Sequence, residues 1–243
     1  MTHDTSSSTA NVSPLPVDAG AALPSGDRFA AVLRGFGPLG LLAFLVITLA
    51  DTVFKPLGAM LVLAWAWRSH TPWRDIGYVR PKSWIRSLAV GIAFGAGFKL
   101  LMKAIVMPLL GADPINPAYH YLAGNRAALP GALFTMIVGA GFGEETVFRG
   151  YMFERFGRVF GTGARARASI VLLTSVLFGL AHYFNQGLAG VAQATITGLV
   201  FGTTFAVTGR IWMLMCAHAA YDVAAVAMIY WNLEADVARF VFK

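Results

Sequence analysis

Long runs of apolar residues, separated by short polar stretches, dominate the chain from residue 29 onward. They cover seven segments, at roughly 29–50, 53–68, 86–110, 127–157, 168–184, 188–208 and 210–232. A helix needs about 20 residues to cross a bilayer, so most of these segments are long enough to span one. The pattern predicts an all-α, polytopic transmembrane helical bundle of about seven helices, or eight if one long segment makes two crossings.

The N-terminal part of the chain is less regular. Residues 1–27 are rich in Ser, Thr, Pro, Ala and Gly, and no basic stretch precedes an apolar core as in a signal peptide. We expect residues 1–27 to form a disordered tail and residues 28–243 to form one transmembrane domain. Asp51 and Lys55 interrupt the first two apolar segments, which are either two crossings or one crossing with a broken partner.

Composition agrees with a membrane protein. Only 13% of the 243 residues are charged and 57% are hydrophobic, whereas soluble domains carry about 25% charged residues. The net charge of +7 is typical of a membrane protein with basic cytoplasmic loops. The sequence contains no basic run with interleaved aromatic residues, which is the pattern that indicates nucleic-acid binding. We therefore expect an integral membrane protein whose partners include the lipid bilayer and no nucleic acid.

Most of the basic residues lie in two loops. RSHTPWRDIGYVRPKSWIR, from residue 68, carries five basic residues against one Asp, and ERFGRVFGTGARARA, from residue 154, carries four against one Glu. The loops near 111–126 and 184–188 are poor in positive charge. The positive-inside rule places the first two loops in the cytoplasm and the other two outside. We expect a protein of the bacterial inner membrane with a cytoplasmic N-terminus.

Ionisable residues inside a membrane are rare, and they usually face a cavity or a partner. GFGEETVFRG holds Glu144, Glu145 and Arg149 at the end of an apolar run. Glu145 and Arg149 are four residues apart and share a helix face, so they can largely neutralise each other. Glu144 lies about 100° further round the helix, and a second buried carboxylate suits general acid–base chemistry. If the helix ended here, both glutamates would instead meet water.

Two other apolar segments carry one histidine each. In SVLFGLAH, Phe178 lies one turn before His182, and in MCAHAAYD, His218 lies one turn before Asp222. Asp222 can hydrogen-bond to His218 along one face and fix its tautomer. A single histidine in a membrane is often a packing residue. Two on separate helices, with a glutamate pair on a third, predict an intramembrane polar cavity.

Helix geometry permits a shared site. At about 1.5 Å per residue, Glu144 and His182 lie about 20 and 21 Å from the inner ends of their segments, and His218 lies about 12 Å from its own. The mismatch indicates either unequal protrusion of the helices or a misplaced boundary. Lys99 and Lys103, near the outer end of the third segment, are explained more simply by snorkelling to the headgroups than by a role in the site.

The order and spacing of these motifs, E-E-x-x-x-R, F-x-x-x-H and H-x-x-x-(N or D), resemble those of the CPBP family. These are the CAAX-protease and bacteriocin-processing (Abi) intramembrane endopeptidases. GEETVFRGYMFERFG, SVLFGLAH and TGRIWMLMCAHAAYD carry the resemblance, and DIGYVRPKSW resembles the stretch that often precedes the core. The resemblance covers roughly residues 74–225.

The resemblance implies a role for each matching residue: water activation by Glu144, support of that glutamate by Glu145 and Arg149, holding of the water by His182, packing by Phe178, and oxyanion stabilisation by His218 and Asp222. Because an ionised aspartate cannot donate a hydrogen bond, Asp222 either orients His218 or is protonated.

Peptide hydrolysis is also chemically consistent with these side chains. Glu144 can take a proton from water and return it to the leaving amine, His182 can position the water, and His218 can donate to the oxyanion. The same three residues could form a zinc ligand set, but no H-E-x-x-H motif is present. We expect no cofactor, with zinc held by Glu144, His182 and His218 as the alternative.

Three functions compete. The leading hypothesis is an intramembrane endopeptidase that cleaves a membrane-associated peptide or protein, either a CAAX-type prenylated substrate or a leader peptide. The alternative is a non-catalytic immunity or scaffold protein that uses the same buried polar network. A transporter ranks last, since the sequence shows no obvious repeat symmetry or paired broken helices.

Overall fold

The computed structural model describes residues 27–242. All regular elements in this range are helical and none is a strand, which confirms the all-α prediction. The predicted tail lies outside the described residues except for Asp27. This residue caps the first helix, because its carboxylate accepts a hydrogen bond from the Ala30 backbone N–H at 2.9 Å.

Between residues 27 and 242 the chain forms nine helices: α1 Arg28–Arg34, α2 Pro38–Val53, α3 Lys55–Arg68, α4 Trp84–Leu109, α5 129–160, α6 Ala164–Ala181, α7 Tyr183–Thr208, α8 Trp212–Tyr230 and α9 Glu234–Ala238. Short 3₁₀ turns at Trp73–Ile76 and His120–Leu122 lie in the loops. Each of the seven apolar segments corresponds to one helix or, for the first, to the pair α1 and α2.

Fewer helices than predicted meet the length and hydropathy expected of a membrane span. In the described part of the chain, α4, α6, α7 and α8 meet both, and a fifth span results if α1 and α2, bent by 58°, are taken together. Helix α3 has only 14 residues, and α5 carries the two glutamates and the arginine. Length and composition therefore support four or five of the roughly seven predicted crossings.

The first apolar segment is broken at residues 35–37, and Arg155 of α5 holds this break. Its guanidinium donates to the carbonyl oxygens of Arg34 and Gly35 at 2.6 and 2.7 Å and lies over the Phe36 ring at 4.2 Å. Carbonyl groups at a helix end need such partners when they are buried. Arg155 was predicted to be one of the cytoplasmic loop cations, and this is wrong because Arg155 is fully buried.

Helix α8 lies close to both α4 and α5 because glycines line the two contacts. A Cβ atom at Gly95 of α4 would lie 1.9 Å from the carbonyl oxygen of Ala217. One at Gly141 of α5 would lie 2.9 Å from the carbonyl oxygen of Met215. Small residues let membrane helices approach in this way, and the contact at Gly141 brings together α5 and α8, which carry five of the six candidate residues.

The loops lie at two ends of the bundle. At the first end, the Ile211 backbone N–H donates to the Gly77 carbonyl at 3.0 Å, and the last turns of α5 contact Trp73–Ile76. This end holds both loops rich in Lys and Arg, and we call it the basic end. At the opposite end, the Gly124 N–H donates to the Tyr230 carbonyl at 3.0 Å.

We expect Gly95→Ala to destabilise the protein by roughly 1–3 kcal/mol, because the new methyl group would overlap the backbone of α8. Gly97→Ala is the matched control, since a Cβ atom there meets nothing within 4 Å. It should be neutral or slightly stabilising, because alanine has the higher helix propensity. Thermal unfolding in detergent measures both, and equal melting temperatures for the two variants would contradict the close contact.

Candidate active site

Helix α5 departs from regular α-helical geometry around the two glutamates. It is π-helical over Thr135–Glu144 and again over Thr146–Tyr151. π-Helical stretches are rare in proteins, and those that occur often lie at functional sites. The helix continues to residue 160, and Glu144 and Glu145 are only 3% and 0% exposed. The possibility that the helix ends at the glutamates is therefore wrong.

The predicted pairing of Glu145 with Arg149 is present. Arg149 Nη1 lies 3.1 Å from Glu145 Oε1, and both side chains are buried. The guanidinium also lies over the Phe178 ring at 4.7 Å, and this cation–π contact adds a partner on α6. The two charges neutralise each other inside the bundle and link α5 to α6.

Glu145 has a second partner that the sequence did not reveal. Its Oε1 atom lies 2.7 Å from Nδ1 of His218, on α8. Because a carboxylate only accepts when it is ionised, Nδ1 donates this hydrogen bond. A histidine held at Nδ1 by a carboxylate has a fixed ring orientation and presents Nε2 for chemistry. Glu145, and not Asp222, orients His218 in this structure.

The free edge of His218 faces two further carboxylates. Nε2 lies 3.7 Å from Glu144 Oε2 and also 3.7 Å from Asp222 Oδ2. Both distances are longer than a hydrogen bond but short enough for strong attraction to a protonated imidazole. The predicted hydrogen bond between His218 and Asp222 is therefore not formed, although the two side chains are neighbours on α8.

His182 lies at the junction of α6 and α7, whereas the sequence placed it within a span. It caps the C-terminus of α6, and Nδ1 is 2.8 Å from the Phe178 carbonyl oxygen. A carbonyl oxygen only accepts, so Nδ1 donates and Nε2 of the neutral ring is an acceptor. The Phe178 ring packs edge-on against His182 at 4.8 Å and His218 at 5.9 Å, as a packing residue between the two histidines.

A cavity of about 140 Å³ brings four of the six candidate residues together: Glu144, His182, His218 and Asp222. Its other polar lining residues are Lys99, Lys103, Asn116, Tyr119, Thr135, Asn185, Gln186, Gln193, Thr197, Tyr221 and Glu234. Because it reaches the residues around 116–119 and 185–186, the cavity extends to the end of the bundle opposite the basic end. Glu145 and Arg149 do not line the cavity and lie behind the four candidate residues that do.

His182 and His218 were predicted to lie at different distances from the inner ends of their helices. This mismatch arises because α6 and α8 begin at different depths. His182 is about 27 Å from the start of α6 and His218 is about 9 Å from the start of α8, at 1.5 Å per residue. Both nevertheless line one cavity. The start of α8 was predicted to within two residues, at 210 against Trp212, and the start of α6 to within four, at 168 against Ala164. Correcting both boundaries widens the mismatch, so the helices begin at different depths.

The loop before α4 is attached to the site helix. Tyr78, within the quoted DIGYVRPKSW stretch, shares a hydrogen bond of 2.8 Å with the Thr146 hydroxyl, next to Glu145. Burial raises the pKa of Tyr78 to about 12, so its hydroxyl keeps its proton at neutral pH. This contact fixes the loop before α4 against the helix that carries Glu144 and Glu145.

In the described part of the chain, the possible zinc ligands are not grouped as a metal site. Among residues 27–242, no three His, Cys, Asp or Glu side chains are grouped as metal ligands. Glu144 and His218 face each other. The Nδ1 atom of His182 donates to a backbone carbonyl, as the second ring nitrogen of a metal-binding histidine usually does. Zinc held by Glu144, His182 and His218 stays the alternative prediction.

Residues 126–224 match the family model described as type II CAAX prenyl endopeptidase Rce1-like. The match contains all six candidate residues and confirms the predicted family resemblance. This segment is therefore similar to a family of CAAX prenyl endopeptidases. Neither the comparison with curated proteins nor the comparison with solved structures found a match.

We expect Arg149→Met to destabilise the protein by about 3–5 kcal/mol, because it leaves the buried Glu145 carboxylate without its cation. Arg165→Met is the control, since Arg165 is exposed, and its effect should stay within about 0.5 kcal/mol. Combining Arg149→Met with Glu145→Gln should cost less than the sum of the two single changes. Unfolding in detergent measures all four proteins, and strict additivity would contradict the pairing.

Proposed function

We propose that this protein is an intramembrane endopeptidase that hydrolyses a peptide bond of a membrane-associated substrate by glutamate-activated water. The observation that carries the proposal is the convergence of Glu144, His182 and His218 on one cavity. The family match over residues 126–224 supports the same reaction class. The cavity is our candidate for the predicted intramembrane polar cavity.

The reaction follows from the positions of these groups. Glu144 takes one proton from water, and the resulting hydroxide attacks the carbonyl carbon to form a tetrahedral oxyanion. His182, with Nε2 as acceptor, holds the water in place. Glu144 then gives its proton to the amide nitrogen, the C–N bond breaks, and a carboxylate and an amine are released.

His218 stabilises the oxyanion in this proposal. Nε2 donates when the imidazole is doubly protonated, and Glu145 Oε1 holds the other nitrogen at 2.7 Å. A donor fixed before the reaction needs no reorganisation when charge develops, which is the main source of such stabilisation. Asp222, 3.7 Å from the same Nε2, balances the charge of the imidazolium and is not itself the donor.

The orientation in the membrane completes the proposal. The basic end carries Arg74, Arg80 and Lys82 in one loop, with Arg165 and Arg167 at the start of α6. It therefore faces the cytoplasm by the positive-inside rule. Asp27, at the N-terminal boundary of the described residues, pairs with Arg68 at this end, at 2.9 Å. The cavity then extends toward the outer face.

We expect Glu144→Gln to reduce cleavage by roughly 10²–10⁴-fold or more, because the amide cannot accept the proton of the water. The assay uses a quenched fluorescent peptide, either a farnesylated CAAX type or a bacteriocin leader, with purified protein in detergent. Asp113→Asn makes the same chemical change at an exposed loop residue and should keep the wild-type rate.

The same assay run with a strong chelator separates the two mechanisms. Activity that survives the chelator supports the glutamate type. Activity that is lost and then restored by zinc would favour the zinc type with Glu144, His182 and His218 as ligands. Cleavage by Glu144→Gln at the wild-type rate would contradict the assignment of the base. A cellular immunity phenotype that persists in Glu144→Gln would favour the non-catalytic alternative.

We expect cysteines at the two ends to react from opposite sides of the membrane. In a Cys216→Ala background, which removes the single cysteine, Ala127→Cys lies at the opposite end and Thr162→Cys at the basic end. A membrane-impermeant maleimide should label the first in intact spheroplasts and the second only after permeabilisation. The reverse pattern would invert the proposed orientation.

A further inference from the structure

A long apolar groove runs along one face of α8, between α4 and α5. Its volume of about 860 Å³ is within the range of ligand pockets. None of the described residues that line it also lines the cavity with Glu144 and His218, because the two lie on different faces of α8. In the described part of the chain no charged residue lines the groove, and Ser87 is its one polar residue. The groove is therefore a separate site that suits an aliphatic chain.

The shape of the groove follows from the sizes of its side chains. Its floor along α8 consists mostly of alanines, with Ala220 near the middle. Larger side chains rise on both sides and are about half exposed, Leu88 and Ile92 on α4 and Ile137 on α5. The floor extends over residues 212–227, which is about 22 Å along the helix. The hydrocarbon part of one leaflet is only about 15 Å thick, so a whole acyl chain can lie in the groove.

Two tryptophans mark the place where the groove meets the basic end. Trp84 and Trp212 begin α4 and α8, line the groove, and contact each other edge to face with 5.2 Å between ring centroids. Tryptophan side chains are typical of the headgroup level of a membrane. The groove therefore begins at headgroup level and continues into the hydrocarbon region.

Positive charge lies beside these tryptophans. Lys82 is exposed and lies two residues before Trp84, and Arg210 is half-buried and lies two residues before Trp212. Neither forms an ion pair with another described residue. The N-terminal ends of α4 and α8 add partial positive charge at the same level. An anion at this end of the groove would thus meet two cations that the described residues leave without an anionic partner.

We propose that this groove binds an anionic phospholipid, with one acyl chain along α8 and the phosphate at Lys82 and Arg210. Basic pockets between membrane helices at the cytoplasmic end are typical binding sites for anionic headgroups. A lipid without net charge could fill the groove but would not neutralise the two cations. The ligand is a lipid of the bilayer, and the proposal does not depend on the proposed peptidase function.

A lipid in the groove contacts both helices that carry the glutamates and His218. Ile137 and Phe142 belong to the π-helical stretch of α5 that ends at Glu144, and Met215 lies three residues before His218 on α8. A ligand that binds only the folded protein stabilises it. Bound lipid therefore stabilises the crossing of α5 and α8 from the side opposite the cavity.

Native mass spectrometry of the protein in detergent tests the proposal, because it counts bound lipids during a titration. The two probes are palmitoyl-oleoyl phosphatidylglycerol and palmitoyl-oleoyl phosphatidylcholine, which share their acyl chains and differ in net charge. Phosphatidylglycerol should bind roughly 10- to 30-fold more tightly, because each nearby cation contributes about a fivefold factor. Equal affinity for the two lipids would overturn the proposal, since the groove would then accept any aliphatic chain.

A matched pair of variants tests whether the lipid lies in the groove. Ala220→Phe fills the groove and should weaken binding of phosphatidylglycerol roughly tenfold or more, because at least two methylene groups lose their contact. Ala168→Phe adds the same ring at an exposed position of α6 and should not weaken it. Equal binding by both variants would overturn the proposal. So would a lipid-free dimer that Ala220→Phe disrupts, because a second copy would then occupy the groove.

A second pair tests the headgroup contact and does not alter the packing of the helices. Lys82→Gln combined with Arg210→Gln should weaken binding of phosphatidylglycerol roughly 10- to 30-fold and leave binding of phosphatidylcholine unchanged. Arg165→Gln combined with Arg167→Gln removes the same charge at the basic end, on α6, and should keep the preference for phosphatidylglycerol. Equal losses in the two pairs would mean attraction by net charge alone and would overturn the proposal.

Discussion

A carboxylate that is fully buried in an apolar bundle needs positive charge or hydrogen-bond donors close by, and Glu145 obtains both from other parts of the chain. One oxygen of this residue meets Arg149 of its own helix at 3.1 Å and His218 of α8 at 2.7 Å. Arg149 in turn stacks on Phe178 of α6. The charge of Glu145 therefore joins three helices, and the direction of the His218 ring depends on it. The cavity and its candidate chemistry are arranged around this interaction.

The local part of this arrangement could be predicted from the sequence, and the rest could not. Residues four apart on a helix share a face, so the pair of Glu145 and Arg149 was readable from spacing alone. The contact of Glu145 with His218 joins residues 73 positions apart. It depends on the close crossing of α5 and α8 at Gly141, which no spacing rule gives. Spacing also made a hydrogen bond between Asp222 and His218 plausible. It is not formed, because Glu145 of the crossing helix holds the His218 ring instead.

Predictions that assumed a simple helix end were the least accurate. Lys103 was expected to reach the headgroups, but α9 returns to the bundle and supplies Glu234 as its partner. Arg155 was counted as a loop cation, but the break between α1 and α2 provides carbonyl acceptors for it. His182 was placed inside a span, although α6 ends at Ala181. For Lys103 and Arg155, a distant segment changed the surroundings of a residue that was correctly recognised as polar.

The size of the cavity determines how the protein meets its substrate. Typical ligand pockets measure about 300–1,000 Å³, and the cavity here measures about 140 Å³. A peptide of more than a residue or so enters only if the helices separate. Gly187, with φ of 61° at the kink of α7, follows directly after the cavity-lining residues Asn185 and Gln186. Turnover then depends on how often the bundle opens as well as on the chemical step. In the proposed peptidase, a cavity this narrow would also spare the transmembrane helices of other proteins that diffuse past it in the same bilayer.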